Sequence, residues 1–528
     1  MQDYSSKLLK QRLQRVHVIV GVCASIFMYI SVFFGIFAIL LPYIQTWEKP
    51  SRHFEVANIK NINYSDMIDP IISNDDFPKN NIIITLPGYH NDPALKISHE
   101  FVKPIVFNPN TKEQIEDEED ISELAWFLNS MHYGRPLQTF GYILFGLVAV
   151  SVMFLIIGGL IQVTIIKYKN KGKNQQSKFS KWHRKIFTWL FAPFIIVTLT
   201  GAMMNIGYSG SSLMTYITSK GETSNIGVLL APILQPEKNQ VERKNDNVKM
   251  LAINELIKKA QKINPNINFE KIVLINWKDS SARVELSGYN PKLPFLNGVF
   301  NKPTVILSGI DGKLIQNIKV LDKHWSVLFT DSMYFLHLLF GVDIFIRLLI
   351  AIIMAICAIS IGFAVMLFLE KKAKKFENNT IFYHWYGKFC LASMIGVIPS
   401  TALIFLLQWL LPFDLENRLI IQKGLFFITW ISTFTYAFYE LNSYKSAKNF
   451  LYLASMLFLL TPLVHFISSG YWPSDLINKN MHIILSVDIS IFLIAIFLFI
   501  LAIKLPKNRD EAKKFFNVKI YTKEQNEI

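Results

Sequence analysis

The sequence predicts an all-α polytopic membrane protein with about eight transmembrane helices, a duplicated four-helix core and a small α+β domain outside the membrane. Two observations predict this fold class. Long apolar runs recur along a chain of which 51% is hydrophobic, and a helix that crosses a bilayer needs about 20 mainly apolar residues. In addition, the order of a histidine-led apolar run, a polar segment and a second histidine-led run occurs twice, which indicates an internal duplication.

The apolar runs define eight candidate spans. They lie at about residues 17–41, 137–166, 186–206, 335–369, 385–411, 420–440, 449–468 and 481–503. The fourth run exceeds the length that a bilayer requires, so we expect it to tilt or to continue as a helix beyond the membrane. The first is too long for a removable signal peptide and lacks a small-residue cleavage region.

The net charge of +15 reflects membrane topology and not nucleic-acid binding. Basic residues collect before the first span, between the second and third, between the fourth and fifth, and in the C-terminal tail. The positive-inside rule places these segments in the cytoplasm, and an even number of spans puts both termini there. Segment 42–131, with an acidic run at 116–120, and segment 207–330 are then on the outer side.

The second outer segment has the pattern of a small α+β unit. Apolar residues at helical spacing predict a helix over Val248–Lys262, and strands are predicted at Phe269–Trp277 and Ala282–Gly288. Pro303–Leu307 and Lys313–Ile318 flank a Gly-containing turn and predict a hairpin. The first outer segment is broken repeatedly by Asn, Asp and Pro, and no fold is predicted for it.

Four histidines lie at the starts of four apolar runs. Gly35 lies eighteen residues after His17, as Gly201 lies eighteen after His183. His17 and His183 occupy equivalent positions of the two copies on the inner side. His132 and His337 do the same on the outer side. Because antiparallel helices bring ends on one face together, each pair has the arrangement of a bis-imidazole iron site, and the two layers would be about 27 Å apart.

Other interpretations of these histidines remain open. A single histidine at a span end is more often interfacial, because imidazole tolerates the headgroup region. Zinc or non-haem iron would require three or four clustered ligands, and no H-E-x-x-H or paired cysteines occur. Cys23, Cys357 and Cys390 all fall within predicted spans, and the absence of C-x-x-C-H means that any haem is held by coordination and packing.

Several stretches resemble the PepSY-associated transmembrane proteins. They are Lys181-Trp-His-Arg-Lys-Ile-Phe-Thr-Trp-Leu-Phe-Ala-Pro-Phe with Thr198-Leu-Thr-Gly201, His17-Val-Ile-Val-Gly21, Phe335-Leu-His-Leu-Leu-Phe-Gly341 and, as the weakest match, Met131-His-Tyr-Gly-Arg-Pro-Leu. The resemblance covers residues 10–370. It implies a bacterial inner-membrane protein of iron uptake that reduces a periplasmic ferric siderophore through two b-type haems, with His17, His132, His183 and His337 as axial ligands.

The resemblance also implies a domain organisation. It comprises a cytoplasmic N-terminus with the first span (1–41), a periplasmic segment (42–131), two spans with a basic loop (132–206), a PepSY-like domain (207–332), a fourth span (333–370), a C-terminal extension of four spans (371–506) and a cytoplasmic tail (507–528). The extension departs from the four-helix core. His384 within it could be a further inner ligand, and His465 with His482 could form a third site.

Three functions follow as hypotheses. The first is a ferric-reductase-type oxidoreductase supplied by a quinol or a separate redox protein, because no G-x-G-x-x-G or flavin-binding segment is present. The second is an iron or siderophore permease without redox chemistry, for which the spans offer few polar residues: Gln408, Asp343, Arg347 and Asp488. The third is a PepSY regulator of the membrane without a cofactor.

Overall fold

A computed structural model describes residues 2–55, 62–116, 122–166, 175–205, 207, 211–234, 241–298, 301–339, 341–375, 380–508, 511–512 and 514. The acidic run at 117–120, residues 167–174 of the basic loop and most of the C-terminal tail lie outside the described residues. The rest forms a helical bundle and one β-sheet.

The helices fall into two groups along the chain. The first group belongs to the duplicated core and the segments between its spans: α1 Gln2–Ile39, α2 Leu41–Trp47, α3 Ser65–Ser73, α4 Leu124–His132, α5 Gln138–Ile165, α6 Gln175–Trp189, α7 Phe191–Asn205, α8 Ser212–Thr218, α9 Ile226–Leu234, α10 Ile253–Ile263, α11 Trp325–Leu338 and α12 Ile344–Lys375. The C-terminal extension contains α13 Thr380–Met394, α14 Val397–Leu410, α15 Arg418–Tyr439, α16 Ser443–Ser469, α17 Pro473–Asn478 and α18 His482–Lys504.

The described helices confirm a polytopic membrane protein but correct the number of spans. Six are long and apolar enough to cross a bilayer: Leu8–Ile39, Arg135–Ile165, Ile344–Lys372, His384–Leu410, Ser443–Ser469 and His482–Lys504. α6 and α7 meet at a bend of 73° and add a seventh if the pair is one broken span. The predicted span at 420–440 is α15, whose first turns carry Arg418, Gln422 and Lys423 and make it less apolar than the six.

The predicted fourth span is broken near its start. Leu339 and Gly341 have positive φ angles of 55° and 69°, and they separate α11 from α12. The guanidinium of Arg347 donates to the carbonyl of Ile39 at 2.6 Å and also to the carbonyl of Leu339. Carbonyls at helix ends lack intrahelical partners, so Arg347 makes the break tolerable at the membrane. His337 therefore lies on a helix of its own beside the span, and not at the start of the span.

The second span is preceded by the same arrangement. α4 ends at His132, and α5 begins only at Gln138. Gly134 between them has a φ of 80°, a conformation that glycine adopts readily. Each copy of the duplicated core thus has a short helix ending in, or one residue beyond, a histidine and then a long apolar helix.

The two segments outside the bundle form a single antiparallel sheet. Strands β1 Ile82–Thr85, β2 Leu95–His99, β3 Val102–Phe107 and β4 Gln114–Ile115 come from the first segment, and β5 Asn268–Ile275, β6 Arg283–Tyr289, β7 Thr304–Ser308 and β8 Leu314–Ile318 come from the second. The strand order is β4-β3-β2-β1-β5-β6-β7-β8. The four strands predicted for the second segment are confirmed to within two residues. The first segment, for which no fold was predicted, supplies the other half.

The junction of the two halves is the β1–β5 pair. Ile82 faces Leu274 across the strands, and both are fully buried, as is Ile84. α10 packs on this sheet through Ile253, Leu256 and Ala260, whose helical spacing puts them on one face and all of which are fully buried. α3 contributes Ile68 and Ile72 to the same core. One hydrophobic core therefore holds both segments together.

The C-terminal extension packs directly against the duplicated core. Phe34 of α1 lies 6.2 Å from Phe426 of α15 between ring centroids, and Phe37 lies 5.8 Å from Phe405 of α14. Phe127 of α4 contacts Phe426 as well, at 5.1 Å. The extension thus shares one apolar core with the helices that carry the histidines.

A designed disulfide tests the shared sheet. Ile83 on β1 faces Val273 on β5, and the Cα atoms of facing residues in antiparallel strands are about 4.5–5.5 Å apart, within disulfide range. In a Cys23→Ser background, Ile83→Cys with Val273→Cys should form an intramolecular disulfide on mild oxidation, detected by mass spectrometry of the linked peptides.

The matched control is Ile83→Cys with Ser308→Cys. Ser308 lies on β7, three strands from β1 in the sheet, a separation of roughly 14 Å. Equal cross-linking of the two pairs, or none in the first, would contradict the β1–β5 pairing.

Candidate functional site

The structure brings the four predicted histidines together as two pairs. His132 at the end of α4 faces His337 near the end of α11, with ring centroids 5.9 Å apart and an interplanar angle of 31°. His17 on α1 faces His183 on α6 at 6.4 Å and 69°. The first pair lies near the β-sheet and is called the sheet-side pair; the second is called the opposite-side pair.

The sheet-side imidazoles are anchored through Nδ1 to a neighbouring helix. His132 Nδ1 donates to the carbonyl of Ser31 on α1 at 2.7 Å. His337 Nδ1 lies 3.1 Å from the hydroxyl of Thr200 on α7. That hydroxyl donates its own proton to the carbonyl of Ile196 at 2.8 Å, so it accepts from Nδ1. In both rings Nε2 remains the unprotonated nitrogen, which is the form that binds a metal.

Burial also keeps the sheet-side pair neutral. Desolvation lowers the pKa of His132 below its ordinary value. For His337, desolvation and the nearby His132 lower the pKa to about 4. Both imidazoles are therefore uncharged near neutral pH and have a lone pair available for coordination.

The opposite-side pair is built in a similar way on different helices. His183 Nδ1 donates to the carbonyl of Ser360 on α12 at 3.2 Å. Nδ1 of His17 is buried without a hydrogen-bond partner among the described residues. Both rings line one cavity of about 1050 Å³, which Arg15, Lys181 and Lys371 also line. An elongated anionic group bound there would meet these cations.

Three glycines leave room for the imidazoles. A Cβ at Gly201 would lie 2.9 Å from Cε1 of His337, and one at Gly35 would lie 3.1 Å from Nδ1 of His132. A Cβ at Gly159 would lie 3.4 Å from Cε1 of His17. The two glycines eighteen residues after the opposite-side histidines thus contact the sheet-side histidines. In the first copy, α1 carries both a histidine of one layer and the glycine that leaves room for an imidazole of the other. In the second copy these two residues lie on the two halves of the bent pair, His183 on α6 and Gly201 on α7.

Four other glycines of the bundle do not make room for an imidazole in this way. Gly158 and Gly362 have no atom within 4 Å of a built Cβ. A Cβ at Gly21 would approach Leu155, at 3.9 Å. Gly341 lies in the break after α11, so it does not share a helical face with His337.

The remaining predicted histidines lie apart from the two pairs. His384 is exposed on α13 and does not line the cavity of the opposite-side pair, which receives Tyr386 from the same helix. His482 is exposed at the start of α18. His465 is fully buried, and its partner is His53 and not His482. His53 follows α2 in a polar stretch, and its loop position gave no signal, because only tertiary packing buries it.

Glu48 fixes the helix that ends in His132. Its carboxylate accepts from the backbone N–H of Ala125 at the start of α4 at 2.9 Å. The backbone carbonyl of Glu48 accepts from the hydroxyl of Ser122 at 3.3 Å and from Nε2 of Gln408 on α14 at 2.7 Å. Burial raises the pKa of Glu48 to about 8. The position of His132 therefore depends on Glu48, whose backbone carbonyl is bonded to the C-terminal extension.

Two histidine pairs on helices of a membrane bundle, beside a sheet outside that bundle, define a class of polytopic membrane protein with a duplicated core. The family profile described as the PepSY-associated TM region matches residues 14–371, more than half of the chain. The chain therefore belongs to the PepSY-associated transmembrane family, which confirms the resemblance seen in the sequence. The match includes all four paired histidines and ends where the extension begins. No curated protein matches the chain.

The Glu48 carboxyl makes stability depend on pH. Its pKa of about 8 in the folded protein exceeds the ordinary 4.5, so its contribution is fully present below about 4.5 and is lost as pH rises through about 8. We expect the Tm in detergent to fall between about pH 4.5 and 8 and to level off above that range, and Glu48→Gln to reduce this fall. Circular dichroism melts check it; equal pH dependence in both proteins would exclude Glu48 as the cause.

Proposed function

We propose that the two histidine pairs are axial ligand pairs for two b-type haems, through which the protein passes electrons across a bacterial inner membrane to a ferric complex of the siderophore class. The observation that carries the proposal is the convergence of four imidazoles into two facing pairs. Three of them are oriented by a hydrogen bond at Nδ1. Such bonds fix the tautomer and the ring orientation of metal-binding histidines.

The residues present fit this cofactor. Two metal–imidazole bonds of about 2 Å would place ring centroids about 6 Å apart on opposite sides of one iron, and the two pairs are separated by 5.9 and 6.4 Å. Among the described residues, no group of three or more His, Cys, Asp or Glu side chains is arranged to hold a metal ion. Two-imidazole ligation therefore suits the site better than a zinc or non-haem iron centre.

The surroundings of each pair also suit a flat macrocycle. Gly35 and Gly201 keep side chains away from the sheet-side rings. On the opposite side, Arg15, Lys181 and Lys371 line the cavity and would pair with propionates. Haem supplies one-electron transfer when it is bound. The chain holds neutral imidazoles in two layers, about 27 Å apart along the eighteen residues of α1 between His17 and Gly35.

The donor and acceptor follow from family membership and from chemistry. The sequence contains no nucleotide- or flavin-binding motif, so a quinol or a separate redox protein would supply electrons. Reduction of Fe(III) to the less highly charged Fe(II) weakens binding by hard oxygen ligands, which would release iron from a siderophore. We propose that the protein is oriented with the sheet-side pair facing the periplasm and the N-terminus in the cytoplasm.

Absorbance spectra of purified variants test the ligand assignment. Wild-type protein should show a Soret band and sharp α and β bands on dithionite reduction, with two haems per chain. His17→Ala and His132→Ala should each lose about one haem, because each removes one ligand of a different pair. His384→Ala and His482→Ala are matched controls at exposed histidines and should keep both.

The outcomes separate the competing functions. A colourless wild-type protein would support the permease or regulator and exclude the haem proposal. Loss of both haems from His17→Ala would contradict independent sites. Loss of one haem from His384→Ala would instead make His384 a ligand.

The two glycines beside the sheet-side histidines give a second test. Gly201→Ala should displace His337 and Gly35→Ala should displace His132, because the new Cβ would contact each ring at about the distances given above. Each should reduce occupancy of the sheet-side haem or shift its potential, measured by redox titration, and leave the other haem unchanged. Gly158→Ala and Gly362→Ala, which meet nothing within 4 Å, are the controls. Equal effects at all four positions would show that Gly35 and Gly201 have no specific role in leaving room for the imidazoles.

A further inference from the structure

A further cluster of histidines lies where the C-terminal extension packs against the segment that follows α2. Nε2 of His53 is 2.9 Å from Nε2 of His465 on α16. Nδ1 of His465 lies 2.9 and 3.0 Å from the two carboxylate oxygens of Asp488 on α18. Nδ1 of His53 donates to the carbonyl of Lys49 at 2.9 Å. The three side chains form one continuous hydrogen-bonded chain.

Aromatic rings seal these three side chains from solvent. The exposed fractions of His53, His465 and Asp488 are 5%, 0% and 2%. Trp47 donates from Nε1 to Asp488 at 2.9 Å. The ring centroid of His465 lies 4.4 Å from that of Trp409 and 5.3 Å from that of Trp47. No haem fits here, because the two imidazoles are in direct hydrogen-bond contact and are enclosed by aromatic side chains.

The hydrogen-bond distances determine how many protons the cluster of three side chains holds. Two unprotonated Nε2 atoms at 2.9 Å would repel each other, so one proton lies between them. A second lies between His465 and Asp488, and a third is on Nδ1 of His53, because the carbonyl of Lys49 can only accept. With three protons the cluster is neutral overall, which an environment of low dielectric requires.

Three arrangements share this proton count. The positive charge can lie on His53 or on His465, opposite an Asp488 carboxylate, or Asp488 can carry the proton and leave both imidazoles neutral. The arrangements interconvert by moving one proton along each hydrogen bond, so no proton is gained or lost. Burial and the nearby His465 hold the pKa of His53 well below its ordinary value, so the arrangement with the charge on His53 is disfavoured.

We propose that His53, His465 and Asp488 form a proton relay that the C-terminal extension adds to the PepSY-associated core. By shifting the protons that it already holds, the relay moves charge between the segment after α2 and a carboxyl group inside the span formed by α18. An ionisable group within a span is costly and is typical of proton pathways when it is paired with other titratable groups. The relay does not depend on the proposed haem ligands, none of which belongs to it.

Several other charged groups on the elements that pack against these three side chains make contacts elsewhere. The segment that carries His53 also carries Glu48, whose carboxylate caps α4, and Arg52, which pairs with Asp92 at 2.9 Å. Lys49 is buried on the same segment. Lys479, which follows α17, lies 4.7 Å above the ring of Tyr471. The carboxylate that bonds to this pair of imidazoles is that of Asp488, through Nδ1 of His465.

Nitrogen-15 solid-state NMR of the full chain in lipid, with labelled histidine rings, tests the relay. Wild-type protein should show a scalar coupling between two imidazole nitrogens across an N–H···N bond. His53→Gln and His465→Gln should abolish it, and His482→Gln, an exposed histidine at the start of α18, should leave it unchanged. Asp488→Asn should keep the coupling but move Nδ1 of His465 to the chemical shift of an unprotonated imidazole, because the amide can donate and has no charge to balance an imidazolium.

Three results would overturn the proposal. Two independently titrating imidazoles without a coupling would show that no proton is shared. One metal ion per chain in purified wild-type protein, lost in both His53→Gln and His465→Gln, would replace the relay with a metal site. An unchanged His465 Nδ1 in Asp488→Asn would show a static hydrogen bond. Because none of these readouts uses the haems, failure of the relay is distinguishable from failure of the proposed electron transfer.

Discussion

The hydrogen bond from Nδ1 of a buried imidazole to an acceptor on a neighbouring helix is the interaction on which the candidate site depends. Without it, a ring at the end of a helix could turn about its side-chain torsions, and Nε2 would have no fixed direction. His132 and His183 donate to backbone carbonyls of α1 and α12, and His337 donates to a side-chain hydroxyl of α7. Each bond joins two helices, so the packing of the bundle sets the direction in which Nε2 of each ring points.

The same dependence explains how much of the site the sequence could reveal. The spacing of His17 to Gly35 and of His183 to Gly201 predicted two layers, because the rise of an α-helix is constant. The first interval lies within α1, whereas the second crosses the bend between α6 and α7, which the sequence did not predict. The break between α11 and α12 was missed, because the residues around Leu339 are apolar and only Arg347, by satisfying free carbonyls, makes the break possible. His53 was missed because its burial comes from α14 and α16, which are far away in the chain.

The extension has a more direct relation to the core than an appended bundle would have. Gln408 of α14 donates to the backbone carbonyl of Glu48, whose carboxyl group accepts from the start of α4. Phe426 of α15 packs on Phe127 of the same helix. Trp47 of the short helix α2 donates to Asp488 of α18. Residues 41–53 are thus a polar junction that contacts the core helices, the extension and the segment leading to the sheet. The polar groups of this junction share hydrogen-bond partners, so a change in one of them is transmitted to its neighbours.

The pairing of β1 with β5 also constrains how the molecule is made. Strands at residues 82–85 and 268–275 are adjacent in space but are separated by about 190 residues of chain. The edge of β1 therefore has no partner during synthesis until one further membrane helix, the bent pair and the second segment have been produced. Contacts between such distant residues form slowly, and an unpaired strand edge is prone to wrong association in the meantime. Completion of the sheet is thus a late step of biogenesis that requires both halves on the same side of the membrane.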